Sequence, residues 1–338
     1  MAATATGVGI AYHPFLHDAI LATPDAFDFI ELPLDLYIDP ARAGLLDPSG
    51  ERLRDIAAAR PCVWQGSALS LGSVEEALDS RLIERIRQLM ARTESTRYAD
   101  RIGFRRLGGR DLGLPQGLPY TATAARWIAA RARDAGVALG CDIALQHCRS
   151  AFPAAHANAG YFLAEIAALT GTGLAIEVGD AAADDLAALP PGTIATLITD
   201  AGSDEAWARL AGLAAQTAAA TIIIRRTGGF YPLTAIFDAA RRAAALLGPQ
   251  RARAATAPPH PAAPDPADLA ALQAEQRALI EYCLAPQDDA PAAGGTQALA
   301  ARVQSWHIWR QRLVDTHKAQ QIAQFLATDA VRAAPRVP

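Results

Sequence analysis

Thr221-Ile-Ile-Ile224-Arg225-Arg226 is the stretch on which the fold turns. Four consecutive strand-forming residues with no polar alternation describe a strand buried on both faces, as in a parallel sheet covered by helices. Working outward from it, comparable runs occur at Gly7–Tyr12, Asp28–Leu32, Cys62–Gly66, Arg101–Arg105, Val137–Ile143, Gly173–Val178 and Thr193–Thr199. Helical patterns separate them. Ser73–Met90 places Val74, Ala77, Leu78, Leu82 and Ile86 at helical spacing behind a Ser73 cap with Glu76 three residues on. Ala122–Ala135, Tyr161–Thr170, Asp204–Ala215 and Leu233–Leu247 behave alike. Strands alternating with helices over about 250 residues predict an α/β (β/α)8 barrel. The alternative, a doubly wound sheet, lacks a GxGxxG after the first strand.

The chain has 338 residues, 51% of them hydrophobic, enough for one large core and an appendage. A net charge of −4 argues against a nucleic-acid partner, whose basic footprint is missing. Cys62, Cys141, Cys148 and Cys283 form no CxxC pair, and Cys62 and Cys141 sit in apolar runs as small buried hydrophobes. That usage suits a reducing, cytoplasmic location. Met1–Gly9 carries no signal-peptide pattern, and no apolar run approaches the roughly 20 residues that cross a bilayer. The expected organisation is a barrel over 1–249, a Pro/Ala-rich linker over 250–265 and a helical extension over 266–338. In the extension, Asp268 caps a helix bearing Leu269, Leu272, Leu279, Ile280 and Cys283, and a second helix carries Leu299, Val303, Trp306, Trp309 and Leu313. Trp306, Trp309 and Leu313 either dock on the barrel or present a partner surface.

Barrel enzymes carry their chemistry at the C-terminal ends of the strands. Those ends hold His13; Glu31 and Asp35; Gln65; Asp100 and Arg101; Asp142; Glu177 and Asp180; Thr199 and Asp200; Arg225 and Arg226. Around them lie Gly7-Val-Gly-Ile-Ala-Tyr12, Phe29-Ile-Glu31-Leu-Pro33-Leu-Asp35, Gln65-Gly-Ser-Ala-Leu69-Ser-Leu-Gly72, Asp100-Arg-Ile-Gly-Phe104, Leu118-Pro-Tyr-Thr121, Ala138-Leu-Gly-Cys-Asp142-Ile143, Thr170-Gly-Thr-Gly-Leu174-Ala-Ile-Glu177-Val-Gly-Asp180, Thr199-Asp-Ala-Gly202 and Arg225-Arg-Thr-Gly228. In order and spacing, over residues 7–247, this series resembles the multinuclear non-haem iron-dependent oxidases (MNIO). These are barrels that modify ribosomally made peptides, usually with a partner protein that delivers the substrate. Family runs such as F-x-E-x-H-x-E-N, H-G-x-x-L-S-L-G, D/E-H-L-x-F, L-L-L-E-N, H-x-A-G and E-R-D-G find their counterparts here. The histidines of those runs, however, are replaced by Pro33, Gln65, Arg101 and Thr199, and the leading glutamate of the last by Arg225.

The resemblance implies an iron cluster held by imidazoles and carboxylates, which these replacements cannot supply. Arginine does not deprotonate and so cannot ligate. The expectation is therefore a degenerate barrel with no metal, in which Glu31, Asp142 and Glu177 pair with the arginines. Such a chain would bind a peptide substrate or a partner protein of a peptide-modifying complex, an active paralogue being one candidate partner. The alternatives are a working iron oxidase, or an enzyme holding a single Mg²⁺ or Mn²⁺ on Glu31, Asp142 and Glu177. Two other constellations read as ordinary: His13 and His17 straddle Pro14 with no third ligand, and His147 adjoins Cys148, a poor placement for a nucleophile pair.

Overall fold

The computed structural model describes residues 6–39, 44–45, 50–74, 77–107, 110–150, 159–179, 186, 189–190, 192–217, 219–225 and 233–247, with six helical positions between Ala267 and Arg277. The chain divides into two units, Met1–Glu275 and Gln276–Pro338. The expected linker over 250–265 lies outside the described residues, as do Trp306, Trp309 and Leu313.

In chain order the elements are β1 (Gly7–Ala11), α1 (His17–Ala22), β2 (Phe29–Pro33), β3 (Ile38–Asp39), β4 (Gly44–Leu45), α2 (Glu51–Ala59), β5 (Cys62–Gln65) and α3 (Ser80–Arg92). They continue with β6 (Tyr98–Arg101), β7 (Gly103–Leu107), β8 (Arg110–Gly117), α4 (Ala122–Leu139), β9 (Ile143–Gln146) and α5 (Ala159–Thr170). The series ends with β10 (Leu174–Glu177), β11 (Ile194–Thr199), α6 (Asp204–Thr217), β12 (Thr221–Ile224) and α7 (Leu233–Leu247). β1, β2, β5, β6, β9, β10, β11 and β12 form a closed barrel, completed by β1 on β12 in the register Gly7↔Thr221 to Ile10↔Ile224. The (β/α)8 expectation holds, and β12 is buried at all four positions, as its unalternating sequence requires.

Two strands fall elsewhere than the sequence suggests. The fourth barrel strand is Tyr98–Arg101, while Gly103–Leu107 leaves the barrel and pairs antiparallel with Arg110–Gly117. Tyr-Ala-Asp-Arg hides its character because its faces differ: Tyr98 and Asp100 are buried, Ala99 and Arg101 half-buried. The fifth strand is Ile143–Gln146, not Val137–Ile143, because Val137–Leu139 is the last turn of α4, which stops at Gly140 in the left-handed conformation (φ 74°). Glycine there removes the Cβ penalty, the usual reason a helix ends on it. α3 likewise begins at Ser80, where the Asp79 side chain accepts from the N–H groups of Arg81 and Leu82. Ser73 is fully buried in the preceding loop. Gly72 presses that loop onto the chain at Gly103, whose carbonyl carbon would lie 2.7 Å from a Cβ at Gly72.

The barrel interior is layered. Phe29, Ala175, Ile198 and Ile223, with Val63 against them, form an apolar plug. Gly9 makes room for it: a Cβ there would meet the Phe29 ring at 2.3 Å. Two residues along a strand return to the same face. Glu31, Glu177 and Arg225 therefore stand directly above Phe29, Ala175 and Ile223, toward the strands' C-terminal ends.

Candidate functional site

That upper layer is a charge network. Arg225 forks Glu31, with Nε donating to Oε2 at 2.9 Å and Nη2 to Oε1 at 2.7 Å. Its Nη1 donates to Glu177 Oε1 at 2.8 Å and its Nη2 reaches Gln146 Oε1 at 3.4 Å. Glu177 Oε1 also accepts from Arg101 Nη2 at 3.0 Å and from Gln146 Nε2 at 2.7 Å. The Glu31 side chain is 2% exposed and that of Arg225 12%. Burial pushes the Glu177 carboxyl upward, but the charges of Arg101 and Arg225 outweigh it and hold the group below the usual range. For Arg225, burial works against the charge, and Glu31 and then Glu177 reverse the balance, raising the guanidinium further.

Glu31, Arg101, Glu177 and Arg225 are thus brought together in one network, Thr199 borders the cleft beside it, and the other described candidates take no part in the network. Asp142 precedes β9 and is exposed. Strands in a barrel run one way, so it sits at the opposite end from the mouth, where its charge acts on Arg97 just before β6. The Glu31–Asp142–Glu177 trio for Mg²⁺ or Mn²⁺ is therefore not assembled. Gln146 takes the place expected of Asp142 and donates to Glu177. Ending α4 at Gly140 would have put Gln146 on the glutamate of the L-L-L-E-N run. Asp100 is buried on the face opposite Arg101, accepting from the Tyr98 hydroxyl at 3.0 Å, from Leu69 N at 3.3 Å and from Arg101 N at 2.7 Å. Burial pushes its carboxyl up to about 7. Asp35 joins a separate rim network in which Arg105 donates to Asp35 (3.0 Å), Asp111 (2.9 Å) and Ser67 (3.3 Å). Gln65 donates to its neighbouring Gly66 carbonyl. Thr199 Oγ1 accepts from Ala201 N at 3.0 Å and so shapes the turn after β11. Asp180 lies outside the described residues. A cleft of about 340 Å³ opens beside the network, bordered by Glu177, Thr199, Asp200, Glu205, Arg209 and Arg225.

His147 follows Gln146 but turns away from Cys148: its Nε2 pairs with the Tyr120 hydroxyl at 3.2 Å, and the Cys148 thiol is directed at the Pro115 carbonyl. Burial drives its imidazole down to about 4, Glu177 opposing and Arg101 and Arg149 reinforcing the shift. The folded value lies below the ordinary 6.5, so the stability tied to the neutral ring is complete above 6.5 and is lost as pH falls toward 4. Acidification from pH 7 to 5 should therefore cost about 2 kcal/mol through this one group. Urea titrations of wild type and His147→Phe at both pH values check it. A pH difference as large in the variant as in wild type would refute the assignment.

The mouth does not fit an iron centre. Both oxygens of Glu31 and one of Glu177 are taken by Arg225, and a fixed guanidinium fills the space that a cation would need. Among the described residues no three His, Cys, Asp or Glu side chains converge as a metal site. No helix among them is long and apolar enough to cross a membrane.

Comparison with known proteins bears on the whole arrangement. A UPF0276 protein of Bordetella pertussis is 26% identical over 174 residues, covering 51% of this chain and 58% of its own, so the match spans less than two thirds of that relative. A UPF0276 protein of Chromobacterium violaceum is 27% identical over 200 residues, 56% of this chain and 69% of its own. Among solved structures, 3-keto-D-glucoside 4-epimerase from E. coli aligns over 69% of this chain and 97% of its own at 13% identity and a TM-score of 0.41. The profile described as "RiPP precursor modification enzyme MbnB/TglH/ChrH" matches residues 7–185, more than half of the chain. On that match the chain belongs to the MbnB/TglH/ChrH family, described as modifying RiPP precursors.

Proposed function

We propose that this chain is a catalytically degenerate member of its family, serving as a binding subunit in the maturation of a ribosomally made peptide. The observation that carries the reading is Arg225, whose guanidinium forks Glu31 and reaches Glu177 at 2.8 Å. A family reaction that depends on iron requires ligand atoms free to coordinate, and here they are committed to an internal ion pair. The barrel retains a polar cleft beside that pair for a peptide or for the partner that carries one. In this reading the sequence over 266–338, with Trp306, Trp309 and Leu313, supplies the partner-binding segment.

Expression in iron-rich medium followed by elemental analysis tests the proposal. The expected result is no stoichiometric iron on the purified chain. Two or more irons per chain would overturn it, because such loading requires the donor set that the arginines occupy.

A further inference from the structure

We infer that the barrel mouth is a binding site for one planar monocation, filled in the wild-type protein by the chain's own Arg225. Metal exclusion then results from this occupancy and from the charge left by Arg101, and not from missing histidines alone. The inference rests on the reading above, in which no metal works at this mouth, and it adds what holds the mouth closed.

The charges decide which cation fits. Glu31 and Glu177 contribute two negative charges, Arg101 and Arg225 two positive, and the four are joined by contacts of 2.7 to 3.0 Å. Removing the Arg225 side chain leaves a net charge of −1 in a recess where the Glu31 carboxylate is 2% exposed. An uncompensated buried charge is costly, so the vacated site demands one positive charge. It also presents acceptors in the pattern of a guanidinium: two oxygens of Glu31 at fork spacing, Oε1 of Glu177 and, farther off, Oε1 of Gln146. Free guanidinium supplies the matching planar donors. A divalent ion would instead leave a net +1, with the Arg101 guanidinium 3.0 Å from the oxygen it needs. Only removal of both arginines gives the −2 charge and the all-oxygen donor set that suit a hard divalent cation.

The test is chemical rescue followed by thermal denaturation of the full chain. Arg225→Ala should melt lower than wild type. Guanidinium chloride at about 10 mM, far below denaturing levels, should raise its midpoint, whereas equal NaCl or MnCl2 should not. The wild type should show no rise. Arg101→Gln/Arg225→Ala should reverse the preference and be raised by MnCl2. If Arg225→Ala does not fold, Arg225→Gln, neutral but still polar, takes its place in the same titrations. No rise with guanidinium, or an equal rise with MnCl2 in the single variant, overturns the inference. Either failure leaves the degenerate-subunit reading standing, since that depends on the iron content of the wild type.

Discussion

Replacing Arg225 by alanine should lower the free energy of unfolding by about 3–5 kcal/mol, the typical loss when one partner of a buried ion pair is removed. The magnitude follows from what stays behind. Glu31, buried at 2% exposure, loses both of its charge-assisted hydrogen bonds together, and Glu177 loses one of the three donors on Oε1. Glu31 has almost no access to water, whereas Glu177, 28% exposed, borders the cleft and can be partly solvated, so most of the loss falls on Glu31. Urea denaturation at neutral pH measures the loss as a lower midpoint at unchanged slope. Adding Glu31→Gln to the variant should return part of it, because a neutral amide tolerates burial better than an unpaired carboxylate. A loss below about 1 kcal/mol would instead mark the network as solvated, the range typical of surface pairs. The effect also depends on pH in a defined direction. Glu177 has its folded pKa below the ordinary value, so its contribution is present at neutral pH and fades on acidification below about 4.5.

Phe29→Ala should cost a similar amount, about 3–5 kcal/mol, for a different reason. The ring is 2% exposed and fills the barrel beneath the charges together with Ala175, Ile198 and Ile223. Collapse into the vacated space is hindered, because the walls are strands held in register on both sides: β2 pairs with β1 and with β5. The neighbour facing the ring is Gly9, which has no side chain to move in. The cavity therefore persists, and its cost adds to the lost transfer free energy of the ring. Phe29→Leu should lose clearly less, and a variant in which alanine and leucine cost the same would show that the layer repacks. The reciprocal change explains why glycine stands at position 9, since any Cβ there would overlap the ring.

How far the sequence reveals this site depends on which strand boundaries it shows. Glu31, Glu177 and Arg225 follow apolar runs whose ends are plain, and each is found by stepping two residues beyond a plug residue. Arg101 is legible through the Asp100-Arg-Ile-Gly-Phe104 run, although its strand ends at Arg101 and does not begin there. Asp100 and Arg101 are adjacent, and adjacent strand residues face opposite sides, so only one of them could enter the barrel. The hydrogen bond from Arg101 to Glu177 shows that it is Arg101, while Asp100 turns to Tyr98 and Leu69. Asp142 misled because Val137–Leu139 is β-branched and apolar at one end yet still belongs to an alanine-rich helix. Helix momentum in that segment outweighed the local strand preference, a tertiary choice that the short run could not reveal. Asp35 was legible as a strand-end carboxylate but not as a partner of Arg105, because that pairing depends on the β7–β8 hairpin folding back over the rim.

The closure of β1 on β12 sets a timetable for the molecule. Glu31 and Arg225 are 194 residues apart in the chain, and Gly7 pairs with Thr221. During synthesis the first strand is made early but lacks its second neighbour until the last strand has been added. Loop closure over such a span carries an entropic cost that is met only once that strand arrives. The guanidinium that neutralises the mouth is thus among the last parts of the barrel to be made, and until then Glu31 lacks the partner that pairs both of its oxygens in the folded barrel.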